Sequence, residues 1–200
     1  EGPILNFVIV TGLSGAGKTQ ALRRMEDIGF FCVDNLPMSM LEAFMQMCHD
    51  DESIERAAVV IDSRAGEKLK NAYKMINDFR EKGYEFEILF LDAQDASLVR
   101  RFKATHRLHP IKGCTLVDGI ARERKMLDQL KELAGHVIDT TSLSSNALNK
   151  IIDQMYGGHA FKDEQMLIFV NTFGFKRGIP LDADLVFDVR FLPNPYWVDE

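Results

Sequence analysis

The stretch "TGLSGAGKT", residues 11–19, decides how the rest of the chain is read. It follows the apolar, mostly β-branched run "LNFVIV" and precedes a segment of helical period, which places it at a strand-to-helix turn. "GLSGAGKT" fits G-x-x-x-x-G-K-[ST] with Gly12, Gly17, Lys18 and Thr19 in the defining places. Gly12, Gly15 and Gly17 permit backbone conformations that turn successive N–H groups inward. Gly12, Leu13, Ser14, Gly15, Ala16 and Gly17 then form a nest for phosphate oxygens. Lys18 adds a point charge at the terminal phosphates, Thr19 can place its hydroxyl on Mg²⁺, and the helix that starts there favours negative charge through its dipole.

Outward from this loop, short apolar runs alternate with longer helical segments. Strands are expected at "LNFVIV", "FFCVD", "AAVVID", "FEILFLD" and "HVID", and helices over residues 18–28, 39–48, 67–82, 96–105, 115–133 and 144–155. Runs too uniformly apolar to face water on one side, in βα alternation, predict an α/β fold with a mainly parallel five-stranded sheet covered by helices on both faces. Ala21, Leu22, Met25 and Ile28 form a core stripe on the helix behind the loop. Near "YGGHAFKDEQ" the pattern breaks, giving an expected first domain over 1–158 and a second, truncated one over 159–200. The second is too short to bury a core alone.

Ligands in open α/β sheets gather at the C-terminal edge of the strands, and three acids end strands there. Asp62, with Ser63, Arg64 and Ala65 in "DSRA", is a candidate to orient a Mg²⁺-bound water; with Lys18 it forms the candidate catalytic pair, and with Thr19 the candidate metal pair. Asp92 has the same form, balanced against a helix-capping role. In "VDNLP", Asp34 is placed to touch a nucleotide, Mg²⁺ or a phosphoryl acceptor, while Asn35 or Ser39 could cap the next helix, with Pro37 near its start. Residues 100–112, "RRFKATHRLHPIK", carry five basic residues and no acid. They read as a lid over phosphates with Arg101 and Arg107 as its contacts; the alternative is a solvated helix face with His106 and His109 as ordinary polar residues.

Composition narrows the function classes. The 24 basic against 30 acidic residues give −6, which disfavours indiscriminate attraction to nucleic acid or anionic lipid. No run of apolar residues reaches the roughly 18 a membrane span needs. Three scattered cysteines indicate neither a disulfide framework nor a zinc cluster, and buried thiols in a cytoplasmic protein are expected.

"GLSGAGKTQALRRMEDIGFFCVDNLP", "DSR", "LFLDA", "RRFKATHRLHP", "VIDTT" and "FGFKRGIPLDADLVFDVRFLPNP", in that order, resemble the RapZ/YvcJ family of nucleotide-binding proteins, the RNase adapter family. The resemblance implies a P-loop NTPase domain of kinase-like, three-layer architecture that binds ATP or GTP with Mg²⁺ and hydrolyses it at most slowly. It places the nucleotide segments on Gly12 to Thr19 and on Asp62 to Ala65, where many members carry glycine or asparagine at the last position. It further implies a C-terminal domain, here mostly missing, that takes a phosphorylated amino sugar and, in some members, regulatory RNA or protein partners. The full-length form is expected to be a homo-oligomer. A small-metabolite or nucleotide kinase is the competing reading, and an RNA adapter acting through this chain alone is a third.

Overall fold

The computed structural model describes residues 6–61, 72–106, 108–157 and 185–188. The chain divides into two compact units, Glu1–Phe161 and Lys162–Glu200. Of the second unit the described part, residues 185–188, is exposed and without regular structure.

In the first unit, strands β1 (Asn6–Gly12), β2 (Phe31–Leu36), β3 (Arg56–Ile61), β4 (Glu87–Asp92) and β5 (His136–Asp139) form one sheet in the order β2-β3-β1-β4-β5. Every pairing is parallel. The three inner strands are buried almost throughout, as their unbroken apolar runs require, whereas the edge strands β2 and β5 are largely exposed or half-buried. Helices α1 (Lys18–Asp27), α2 (Leu41–Asp50), α3 (Ala72–Glu81), α4 (Asp95–Thr105) and α5 (Leu116–Glu132) join the parallel strands. The right-handed crossover rule applied to this strand order assigns α1 to one face and the other four to the opposite face. Helix α6 (Ser145–Tyr156) returns to pack against α1. Three layers result.

Local chemistry explains the elements. The α1 stripe of Ala21, Leu22 and Met25 is buried as its spacing predicts. Thr115 and Ser144 cap α5 and α6 through their hydroxyls, each accepting a backbone N–H from the third residue on. The segment after β2 departs from expectation: Pro37 opens a 3-10 turn at Met38–Met40, and α2 begins only at Leu41. Neither that turn nor α2 has a side-chain cap. Asn35, at φ 65°, instead takes the left-handed conformation where the β2–β3 register shifts. The expected helix over 67–82 is described from Ala72.

At the N-terminal edge of the sheet, the Tyr156 hydroxyl donates to Glu87 at 2.8 Å, and the Arg56 guanidinium lies 4.0 Å over the Phe30 ring while donating to the Tyr156 carbonyl. Arg24 grips Asp153 with two hydrogen bonds of 2.6 and 2.9 Å and locks α1 to α6. Burial pushes the Cys32 thiol up to about 12 and the Cys48 thiol up to about 11, so both are inert packing groups at neutral pH.

Candidate functional site

The strand-to-helix turn after β1 is built on glycine geometry. Gly12, at φ 128°, faces Leu91 across the β1–β4 ladder, and a Cβ on it would sit 2.0 Å from the Leu91 carbonyl oxygen. Gly15 and Gly17 are also left-handed, at 85° and 106°, and Gly17 opens α1. Lys18 follows and folds its ammonium back over the loop, donating to the carbonyls of Gly12 at 2.7 Å and Leu13 at 2.9 Å. Its charge therefore sits at the mouth of the loop.

Thr19, one residue on, donates its hydroxyl to Asp34 at 3.2 Å. The register shift in β2 turns Asp34 toward α1 and leaves Asp34 and Asn35 on the rim of a cavity of about 970 Å³. Gly15, Ala16, Gly17, Lys18 and Thr19 line its floor, Arg101, Phe102 and Thr105 of α4 one wall, and Leu143, Ser144 and Leu148 another. Among the described residues, no group of three or more His, Cys, Asp or Glu side chains is arranged to hold a metal ion, but Thr19 and Asp34 are the hard oxygen donors that Mg²⁺ takes.

Arg101 lies on the loop. Its guanidinium donates to the Gly15 carbonyl and to the Thr140 hydroxyl, each at 3.0 Å, and also to the Thr140 carbonyl. Thr140 is buried, and its hydroxyl lies 2.8 Å from the Ala16 carbonyl and 3.0 Å from the Asp92 carbonyl. One side chain thus joins the loop to the ends of two strands. Arg107, Asp62, Ser63, Arg64 and Ala65 lie outside the described residues.

Ser14 is held from a direction that the sequence reading does not anticipate. Glu123 of α5, almost fully buried, accepts the Ser14 N–H at 3.0 Å and its hydroxyl at 2.6 Å. His109, also buried, donates Nε2–H to the same carboxylate at 3.1 Å, since its Nδ1 accepts the Ile111 N–H at 3.2 Å. The solvated face considered for His109 is therefore not what this residue occupies: α4 ends at Thr105, His106 turns left-handed, and His109 is folded beneath the loop. The sequence signal for this pocket is Gly119 inside α5, where a Cβ would come within 2.8 Å of His109 Nδ1.

Asp92 is directed away from the cavity. Its carboxylate caps the Ala93 N–H at 2.7 Å and pairs with Arg124 at 2.8 Å and Lys131 at 2.7 Å. Burial pushes this carboxyl up, yet Lys131 and Arg124 outweigh burial and hold it below its ordinary value. A carboxyl depressed in the folded state stabilises the fold above its unfolded pKa of about 3.9, and that contribution is lost as pH falls through the folded value. Acid titration followed by circular dichroism is therefore expected to show stability falling below about pH 4, with a shallower fall in Asp92→Asn. An unchanged acid limb in Asp92→Asn would remove Asp92 from this account.

Residues 5–160 match the profile of the RapZ-like N-terminal domain, and residues 166–200 match that of the RapZ C-terminal domain. A nucleotide-binding protein of Clostridium botulinum is 48% identical over 198 residues, covering 98% of this chain and 67% of its own length. A nucleotide-binding protein of Clostridium kluyveri is 46% identical over 98% of this chain and 68% of its own. Among solved structures, the YorR protein of Bacillus subtilis in complex with phosphorylated GDP aligns with a TM-score of 0.51 at 12% identity, over 75% of this chain and 95% of that one. A sugar kinase from Janibacter sp. aligns at 0.50 with 15% identity, over 75% and 93%. These two likenesses concern the fold, a P-loop kinase-like α/β sandwich. Among the described residues no helix is long and apolar enough to cross a membrane.

Proposed function

Because the chain belongs to the RapZ-like family, we propose that it is a regulatory nucleotide-binding protein that holds ATP or GTP on the residue 12–19 loop and hydrolyses it at most slowly. The observation that carries this reading is the pair of cations on one glycine-shaped loop, Lys18 on the carbonyls of Gly12 and Leu13 and Arg101 on that of Gly15, at the floor of a cavity large enough for a nucleotide. A triphosphate would take over both cations from the carbonyls that now occupy them. Mg²⁺, arriving with the nucleotide, would neutralise charge between its terminal phosphates. Thr19 would hold it, with Asp34 in reach and Asp62 as a further ligand. The curated relatives named above carry the same description, nucleotide-binding protein, in their names.

Regulation is the proposed outcome, through a C-terminal domain that takes a phosphorylated amino sugar, regulatory RNA or a protein partner in the full-length, homo-oligomeric, cytoplasmic protein. A second reading, a small-metabolite or nucleotide kinase, is favoured by Asp34 and Asn35 on the cavity rim beyond Thr19, where a phosphoryl acceptor would sit.

Calorimetric titration of the purified chain with ATP and GTP is expected to give one saturable site for each, tighter with Mg²⁺, and turnover well below about 1 per second. Transfer of phosphate to a defined small acceptor at ordinary enzyme rates would establish the kinase instead. Failure of both nucleotides to saturate at millimolar concentration would end the nucleotide reading.

A further inference from the structure

The contact between Glu123 and Ser14 is the best-built polar cluster outside the cations of the loop. A carboxylate buried without a cation is costly unless donors saturate it. Here three donors do so: the Ser14 amide, the Ser14 hydroxyl and the His109 ring. Two of them belong to the phosphate loop, and the third belongs to the segment between α4 and α5. The same carboxylate therefore bridges two stretches that are distant in the chain and both line the cavity.

His109 has little freedom to move apart from that bridge. Its ring packs on Phe102 with centroids 5.2 Å apart, and Gly119 of α5 leaves only the space a hydrogen needs. Its neighbours on the segment reach outward: Leu108 is 93% exposed, and Lys112 lies on the rim of the cavity. Close-packed surroundings pass a displacement on. A phosphate that draws the loop amides inward must either stretch the Ser14 bonds or carry Glu123 with them. If Glu123 moves, the His109 ring moves too.

We propose that Glu123 is a positioning residue that ties the phosphate loop to residues 108–112, so that nucleotide bound on the loop changes the order of that segment. The inference rests on the nucleotide reading above and adds to it the route by which occupancy reaches an exposed surface. Glu123 itself touches no phosphate; it sets where Ser14 stands and where His109 points.

Hydrogen–deuterium exchange of the purified 200-residue chain, with and without Mg²⁺ and ATP, tests it alongside calorimetric titration. In the parent chain, ATP is expected to slow exchange both in the loop and over residues 108–114. Glu123→Gln keeps the shape and one acceptor but sets an amide donor against one of the three existing donors. ATP affinity should fall about three- to tenfold, and the response over 108–114 should drop by at least half while the loop response remains. Ser14→Ala, which removes only the hydroxyl end of the bridge, should move both readings the same way by less. Gly119→Ala crowds His109 without touching Ser14 and should weaken the 108–114 response alone. Thermal unfolding of each variant verifies that it is folded.

A parent chain whose loop responds to ATP while 108–114 does not overturns this inference alone, as does a full response surviving in folded Glu123→Gln. A parent chain in which ATP changes nothing overturns the nucleotide reading and this inference together.

Discussion

Gly12→Ala is expected to unfold the first unit or to lower its unfolding midpoint by roughly 10 °C or more, the shift produced by several kcal/mol in a chain of this size. The cause is backbone against backbone. The added Cβ would stand 2.0 Å from the Leu91 carbonyl oxygen and 2.7 Å from the Leu91 nitrogen, and the residue would also be forced to keep φ near 128°. No rotamer relieves such a contact; β1 and β4 must separate, and these are the central strand of the sheet and one of its inner neighbours. Thermal unfolding measured by circular dichroism or scanning calorimetry checks it. A loss under about 1 kcal/mol would show that the turn after β1 can be rebuilt without a glycine.

Lys18→Ala is expected to leave the fold in place and remove nucleotide affinity. The ammonium is partly exposed and bonds two carbonyls of its own loop, so truncation opens those carbonyls to water at small cost. A bound triphosphate, by contrast, loses a charge-assisted contact inside a cavity, worth about 100-fold in affinity or ~2.7 kcal/mol. Titration should show this loss for ATP and GTP alike, with the unfolding midpoint within about 3 °C of the parent. Unchanged affinity and unchanged turnover would mean that the loop is a structural turn.

The two variants separate what was legible in the chain from what was not. Gly12, Gly17, Lys18 and Thr19 could be read because local sequence dictates their geometry: an apolar strand, glycines at the positions of positive φ, then a helix. The sheet could be read because strands buried on both faces leave unbroken apolar runs. Glu123 could not. In "ARERKM" it looks like any acid on a solvated helix face, and only the docking of α5 under the loop buries it. Asp92 and Asp34 both read as acids closing an apolar strand run, and no local pattern told them apart; in the structure Asp92 ends β4 while Asp34 lies within β2, two residues before its end. Arg124 and Lys131, more than thirty residues on, draw Asp92 into an ion-pair network, while the register shift in β2 leaves Asp34 facing the cavity. His109 escaped the reading for the same reason as Glu123: its partners are distant in the chain and near only in the fold.

Thr140 carries a consequence for synthesis. The phosphate cradle is spelled in residues 12–19, yet its shape depends on a hydroxyl that emerges from the ribosome more than a hundred residues later, and on Leu91 before that. Until β5 docks, the Ala16 and Asp92 carbonyls lack the group that holds them together, and Arg101 lacks its anchor beside Gly15. A nascent chain therefore carries the motif long before it carries the site. Nucleotide is in effect a ligand of the finished sheet, and its capture marks the end of the first unit's folding, not the start.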